Sequence, residues 1–340
     1  MQKLLNTLYI TEPDASLRLK GEALSVVQKG GQKCHIPLHQ LEQIVSFSYA
    51  PATLPLMTAC ARRGIGLAFL NQSGHLRFRV VGKSRGTAAL RRAQYTISEA
   101  AALELAKQTL QGKFLNSAQT ISHFRRNHPE RAQMELAAAE KTLKTAVQDA
   151  ADAVSLSELR GIEGNAAHLY FQVLGHMILK QEPELQFSGR NRRPPKDRCN
   201  AMLSYAYSLL TNECVHALEC AGLDPDVGFF HGERPGKPAL ALDLMEEFRA
   251  PIADRTVLAL INLGMVRPDM FEIGEDEGVY LAEAGRKILL KEWNRRRWQE
   301  IEVPELGQKI PQGLLPHLAA KKLAAYLRGE LPAYQPIRWR

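Results

Sequence analysis

No run of eighteen apolar residues occurs in the 340-residue sequence, so no membrane-spanning helix is expected. Cysteine is scarce. Cys34, Cys60, Cys199, Cys214 and Cys220 are odd in number and contain no C-x-x-C pair. This argues against a disulfide framework and a cysteine zinc site, and the expectation is reduced thiols in a cytoplasmic protein. The first residues lack the long apolar stretch and cleavage signature of a secretory leader. There is no repeat of fixed period. With 45% hydrophobic and 24% charged residues, the composition gives no sign of long disordered stretches.

What is present is positive charge. The net charge is +8. A basic excess favours a polyanionic partner, nucleic acid or an anionic surface, although charge alone is weak evidence. The excess is uneven: residues 1–85 carry eleven Lys and Arg against four Asp and Glu. Two clusters stand out in the otherwise balanced remainder. One is Arg190, Arg192, Arg193, Lys196 and Arg198, interrupted by Asp197. The other runs from Arg286 to Arg297 and contains Glu292 as its one acid. Phosphate binding needs several cations on one surface, so clusters matter more than totals.

Length and pattern suit two domains and an α+β fold: a small β-sandwich-like domain over 1–85, then a larger all-α domain over 86–340. Short apolar segments at 4–11, 17–19, 24–28, 33–37, 44–47, 65–70 and 76–81 read as strands, with Gly30-Gly31 as a hairpin turn. Leu54, Leu56, Met57 and Cys60 have helical spacing, and Gly64 follows as a stop. A hinge is expected at 82–86. Helices are expected at 88–115, 117–127 and 130–153, where Ala, Leu, Gln, Glu and Lys dominate. Ser155 with Glu158 forms a capping-box signature for a helix to about residue 180. Asp197 caps another helix ending near Gly222, and helices follow at 240–249, 252–263 and 284–298. A hairpin is expected at 271–283, and the last dozen residues, with Pro332 and Pro336, are expected to be loosely ordered.

Three places carry groups suited to chemistry. Glu163 lies on the helix after Ser155, between Gly161 and Gly164; two helix glycines cost about 1 kcal/mol each against Ala, which close approach by another group would explain. His231 follows Phe229-Phe230 where an apolar segment breaks into a turn. Asp243 and Glu246, three apart, would share a helix face. Taken singly, each also reads as ordinary structure: a solvated Glu, a hydrogen-bonded His, an acidic helix surface with Arg249 pairing locally with an acid. Together, two carboxylates and an imidazole would make an open N/O site suited to Mg²⁺ or Mn²⁺. Tyr170 and Tyr205 are suited to stacking on bases or to core packing, and Asn165 to a hydrogen bond near the metal or to a helix surface.

Three ordered blocks resemble a known family. They are Gly161-Ile-Glu163-Gly-Asn-Ala-Ala with Tyr170-Phe171; Gly189-Arg-Asn-Arg-Arg-Pro-Pro with Asp197, Asn200, Tyr205 and Tyr207; and Gly228-Phe-Phe-His231 with Leu242-Asp-Leu-Met-Glu246-Glu-Phe-Arg249. The sequence resembles the CRISPR spacer-acquisition endonuclease/integrase family, and the resemblance covers nearly the whole chain. It implies Glu163, His231 and Glu246 as catalytic metal ligands and Asp243 as a supporting or auxiliary one; beside them, the cationic loop with Arg190, Arg192, Arg193, Lys196 and Arg198 is suited by its charge to hold the DNA backbone. The resemblance further implies duplex and branched DNA as substrate, a homodimer built through the N-terminal β domains, and a small ferredoxin-like Cas partner. The style of the third block and the length suggest a type I system, subtype C. A catalytically silent DNA-binding architectural protein of the same fold is the alternative, and an unrelated metal phosphoesterase acting on small nucleotides is a third reading.

Overall fold

The computed structural model describes residues 6–28, 30–82, 86–180, 182–303 and 306–339. The chain divides into two compact units, Met1–Arg85 and Gly86–Arg340. The expected hinge at 82–86 lies largely outside the described residues.

The first unit is built from two sheets and one helix. Strands β1 (Thr7–Ile10), β5 (Gln43–Ser46), β6 (Gly66–Leu70) and β7 (Leu76–Val80) form one sheet in that order. β1, β5 and β6 are parallel, and β7 closes the edge antiparallel. Parallel neighbours need a crossover. Helix α1 (Leu54–Arg63) supplies it between β5 and β6. Between β1 and β5 the crossover is a three-stranded meander, β2 (Ser16–Lys20), β3 (Ala23–Val27) and β4 (Lys33–Pro37). Both sheets and the helix bury apolar residues in one core that includes Leu17, Leu24, Ile44, Leu56, Cys60 and Leu67. Gly64 ends α1 in the left-handed conformation, φ 68°, which favours glycine.

The second unit is predominantly helical, with two short antiparallel ribbons. Its helices are α2 (Ala88–Tyr95), α3 (Glu99–Asn127), α4 (Gln133–Asp152), α5 (Leu156–Leu174), α6 (Arg198–Ala221), α7 (Ala239–Met245), α8 (Arg255–Asn262), α9 (Glu283–Arg297) and α10 (Leu315–Leu327). The ribbons are β8 (Phe271–Ile273) with β9 (Val279–Leu281), and β10 (Glu300–Val303) with β11 (Gln308–Pro311). α6 is the central post: most of its residues are buried, and it packs on α7, α8 and α10. α3 lies along α4 and α5.

Several expectations are corrected here. The helical break falls at 96–98, where Ser98 caps α3, and not at residue 116. Asn116 stays inside the helix because its amide is consumed in the core, donating to the Glu247 and Ile337 carbonyls. α5 stops at Leu174 rather than near 180, passing into a 3-10 turn at Gly175–Met177. Its start is as read: Ser155 Oγ accepts from the Glu158 N–H, while Glu158 reaches back to the Val154 N–H. The segment expected as one helix over 240–249 changes character twice. α7 gives way to a 3-10 turn at Glu246–Phe248, then to a π-helical turn at Arg249–Asp254, which contains Pro251. The ribbon β10–β11 and helix α10 had no counterpart in the sequence reading.

The largest correction concerns the C-terminal segment. Tyr334, Ile337 and Trp339 are buried. Tyr334 Oη donates to Glu247 Oε1 at 2.5 Å and the Ile337 N–H to Oε2 at 2.8 Å. The Trp339 N–H donates to Asn116 Oδ1, and Arg255 lies over the Trp339 ring at 4.2 Å. The segment closes the core between α3 and the turn at 246–248. Removing one donor from the buried Glu247 carboxylate costs about 1–3 kcal/mol. Tyr334→Phe is therefore expected to lower the melting temperature by several degrees in thermal denaturation, and an unchanged value would contradict this role.

Candidate functional site

Four segments, distant in sequence, bring their side chains to one place. α3 contributes Lys113, and α5 contributes Glu163. The turn after Gly228 contributes His231, and the 3-10 and π-helical turns after α7 contribute Glu246 and Arg249. The Lys113 ammonium lies 2.5 Å from Glu163 Oε1 and 2.7 Å from Glu246 Oε2. Glu246 Oε1 accepts from Arg249 Nη1 at 2.7 Å and stands 3.9 Å from His231 Nε2.

His231 is held from behind. Its Nδ1 is 2.7 Å from Asp243 Oδ1. An ionised carboxylate only accepts, so Nδ1 carries the proton and, in the neutral ring, Nε2 presents its lone pair toward Glu246. Asp243 also caps the turn itself, accepting from the N–H groups of Phe229, Phe230 and His231 at 2.6–3.1 Å. Gly228 permits this approach: a Cβ there would lie 2.7 Å from Asp243 Oδ2 and 2.8 Å from the Ala239 carbonyl carbon. Asp243 and Glu246 thus do not work as a pair on one helix face. The first fixes the imidazole, and the second faces Lys113 and Arg249.

The electrostatics follow from burial and pairing. Burial pushes the Glu246 carboxyl pKa up, but Arg249, Lys113 and His231 outweigh it and hold it at about 2. Burial pushes His231 down, but the hydrogen bond and charge of Asp243, with Glu246 behind, raise it above its ordinary value. Donor types fit a hard divalent cation: two carboxylates and one imidazole with a free Nε2. One further observation fits. Glu246 Oε2 is buried and meets the Lys113 ammonium at 2.7 Å, so a positive charge already sits against this oxygen. Spacing is another matter, because the ammonium stands between the carboxylates. Among the described residues no three His, Cys, Asp or Glu side chains are drawn together closely enough to hold an ion.

Beside the cluster lies a second buried acid. Asp254 accepts from Tyr207 Oη at 2.6 Å and from Tyr170 Oη at 3.0 Å. The Tyr207 ring lies under the Arg249 guanidinium at 4.4 Å. Tyr170 is therefore scaffold. Tyr205 is buried as well, so the suggestion that either stacks on bases is corrected: neither presents a ring to solvent.

The basic loop is split in the same way. Arg190 is half-buried and donates internally, to Asn200 Oδ1 at 2.6 Å and Ser204 Oγ at 3.1 Å. Arg198 is half-buried, 3.4 Å from Glu184. Arg192, Arg193 and Lys196 are exposed. Sequence reasoning missed the neighbours that complete this patch. Arg193 foremost, with Arg234 and Arg192, repels the exposed Lys237 ammonium and lowers its pKa. Lys113 was also missed, while Arg249 pairs locally with an acid as expected, here Glu246. One signal was available for Lys113: Ala106, Leu110, Lys113, Ser117 and Ile121 recur at helical spacing, so a lysine interrupts a core stripe. Asn165 is exposed on α5. A Cβ at Gly161 or Gly164 would meet nothing within 4 Å, so no packing inside the chain demands either glycine.

Comparison with solved structures gives the class: an α+β fold, a small β unit followed by a helical one. A casposase bound to integration product superposes with a TM-score of 0.85 at 23% identity, over 97% of this chain and 93% of that one. A Cas6-RT-Cas1–Cas2 complex gives 0.81 at 23% identity, over 98% of this chain and 36% of that one. The sequence then fixes the family. Residues 8–295 match the family described as "CRISPR associated protein Cas1", and the chain belongs to it. A relative in Rhodospirillum rubrum, CRISPR-associated endonuclease Cas1 2, is 42% identical over the full length of both chains.

Asp254 gives a test of the scaffold. Burial raises its carboxyl from 3.8 to about 6, against the pull of Tyr207, Arg249 and Tyr170. The folded state thus holds this proton more tightly than the unfolded chain. Its contribution to stability is complete below about 3.8 and is lost as pH rises through about 6. Melting curves of the wild type and Asp254→Asn are expected to diverge in their pH dependence across this window. Parallel curves would show that Asp254 does not titrate there.

Proposed function

We propose that this chain is a divalent-metal-dependent DNA endonuclease and integrase of CRISPR adaptation, inserting short DNA fragments into the CRISPR array by phosphoryl transfer. The observation that carries the reading is the convergence of Glu163, His231 and Glu246, from three separate segments, on one cluster. These three would hold Mg²⁺ or Mn²⁺, which when bound polarises a phosphodiester oxygen and favours the ionised attacking hydroxyl.

The chain's own residues have distinct tasks in this reading. Asp243 fixes the His231 ring and its tautomer. Arg249 orients Glu246 and keeps it ionised. Arg192, Arg193 and Arg234, exposed and near Lys237, form a cationic patch for the phosphate backbone, with the exposed Lys196 on the same loop as Arg192 and Arg193. In the transfer, the 3′-oxygen of the incoming fragment forms a new P–O bond as the bond from phosphorus to the array's 3′-oxygen breaks. The attacking hydroxyl gives up its proton and the departing oxygen takes one. Water in place of the hydroxyl would give cleavage alone.

Support comes from the names of similar proteins. The Rhodospirillum rubrum relative is called an endonuclease, and the casposase was solved on an integration product. The complex whose name joins Cas1 with Cas2 supports a Cas partner, and that partner is proposed here to be small and of ferredoxin-like fold. A homodimer through the N-terminal β units completes the proposed assembly.

A strand-transfer assay tests it: a short 3′-hydroxyl duplex and a supercoiled plasmid bearing a CRISPR repeat, with Mg²⁺, Mn²⁺ or EDTA, with and without the Cas partner. Joined product is expected only with metal, and Glu163→Ala, His231→Ala and Glu246→Ala should each reduce it by on the order of 100-fold or more. DNA binding without cutting or joining, untouched by these changes, would make the chain an architectural protein. Gly161→Ala probes the open face beside Glu163. It is expected to stabilise α5 by up to about 1 kcal/mol and to weaken DNA binding at the same time. Stabilisation with unchanged binding would mean that DNA does not lie on this face.

A further inference from the structure

We infer that Lys113 is a built-in competitor for the divalent cation, its ammonium occupying the point between Glu163 and Glu246 that the cation needs. The inference rests on the metal-site reading given above and adds to it a determinant of metal affinity.

The geometry leaves room for one cation. The ammonium nitrogen is 2.5 Å from one carboxylate oxygen and 2.7 Å from the other. A Mg²⁺ or Mn²⁺ bound by the same two residues would stand about 2.0–2.2 Å from its oxygens. The two positive charges would then lie within contact distance of each other in a largely buried place, where their repulsion is poorly screened. Binding of one therefore requires departure of the other.

The surroundings allow the side chain to leave but not the backbone. Lys113 follows Gly112, where a Cβ would lie 2.5 Å from Pro336 Cβ and 3.3 Å from Glu247 Cγ, so α3 is pressed against the C-terminal segment here. The side chain is a flexible four-carbon stem, and it is 10% exposed. Rotation of the stem would withdraw the ammonium toward solvent while leaving the helix in place. Arg249 differs in kind. Its guanidinium lies over the Tyr207 ring while pairing Glu246 on Oε1, the oxygen that Lys113 does not touch. Arg249 is a fixed partner of Glu246, and Lys113 is the displaceable one.

An ordinary structural lysine and a competitor make opposite predictions. Losing a structural lysine would loosen the site and weaken metal binding. Losing a competitor strengthens it, because the cation no longer has to break two ion pairs. The experiment uses full-length protein stripped with EDTA and titrated with Mn²⁺ by calorimetry. Lys113→Met is expected to bind Mn²⁺ about tenfold more tightly than wild type, equivalent to ~1.4 kcal/mol. Equal or weaker binding by the folded variant overturns the inference. A measurement on the wild type does not depend on the variant folding: amine-reactive labelling read at Lys113 by mass spectrometry. Labelling is expected to rise when Mn²⁺ is added, and labelling indifferent to Mn²⁺ overturns the inference. Glu163→Gln separates the two levels. If it binds Mn²⁺ as wild type does, the metal-site reading itself fails. If it loses binding while Lys113 labelling ignores Mn²⁺, only the competitor role fails.

Discussion

Four carboxylates buried between Asp243 and Asp254 organise the helical unit. A buried charge is costly unless it is paired and hydrogen-bonded, so each acid must recruit partners from elsewhere in the chain. Asp243 takes the backbone of 229–231 and the His231 ring. Glu246 takes Lys113 from α3 and Arg249 from its own segment. Glu247 takes Tyr334 and the Ile337 N–H, and Asp254 takes two tyrosines from α5 and α6. The demand for partners ties α3, α5, α6, the His231 turn and the C-terminal segment to one twelve-residue stretch. The candidate site lies where several of these ties cross.

This arrangement explains the irregular backbone after α7. A regular helix would turn Asp243, Glu246 and Glu247 through fixed steps of about 100° each. The four acids have partners in different directions, and the 3-10 and π-helical turns alter the angular step between them. π-turns inside helices are frequent at functional sites. Here the irregularity aims Glu246 at Lys113 and Glu247 at Tyr334.

What was legible in the sequence was local. Gly64, Gly30-Gly31 and the Ser155–Glu158 box mark their elements because the signal and its consequence lie within a few residues of each other. The gathering of Glu163, His231 and Glu246 was legible only through resemblance, since nothing in a spacing of 68 residues makes side chains meet. What escaped was long-range pairing. Asn116 read as a helix break because its partners, Glu247 and Ile337, lie 131 and 221 residues away. Tyr170 and Tyr205 read as candidates for DNA because aromatic side chains serve cores and surfaces equally well. Burial and internal bonding decide between the two, and neither is visible in composition. The C-terminal segment read as loose for the same reason: its two prolines were visible, but the acid awaiting it at 247 was not.

The latch between Glu247 and residues 334–337 also imposes an order in time. During synthesis the carboxylate emerges 87 residues before the tyrosine hydroxyl that it accepts from. Until then α3 and the turn bearing Glu246 lack the segment that closes over them. A nascent chain that stops short of this segment leaves the Glu247 carboxylate without these two donors. The candidate site thus sits on a scaffold whose closing ties come from a distant part of the chain.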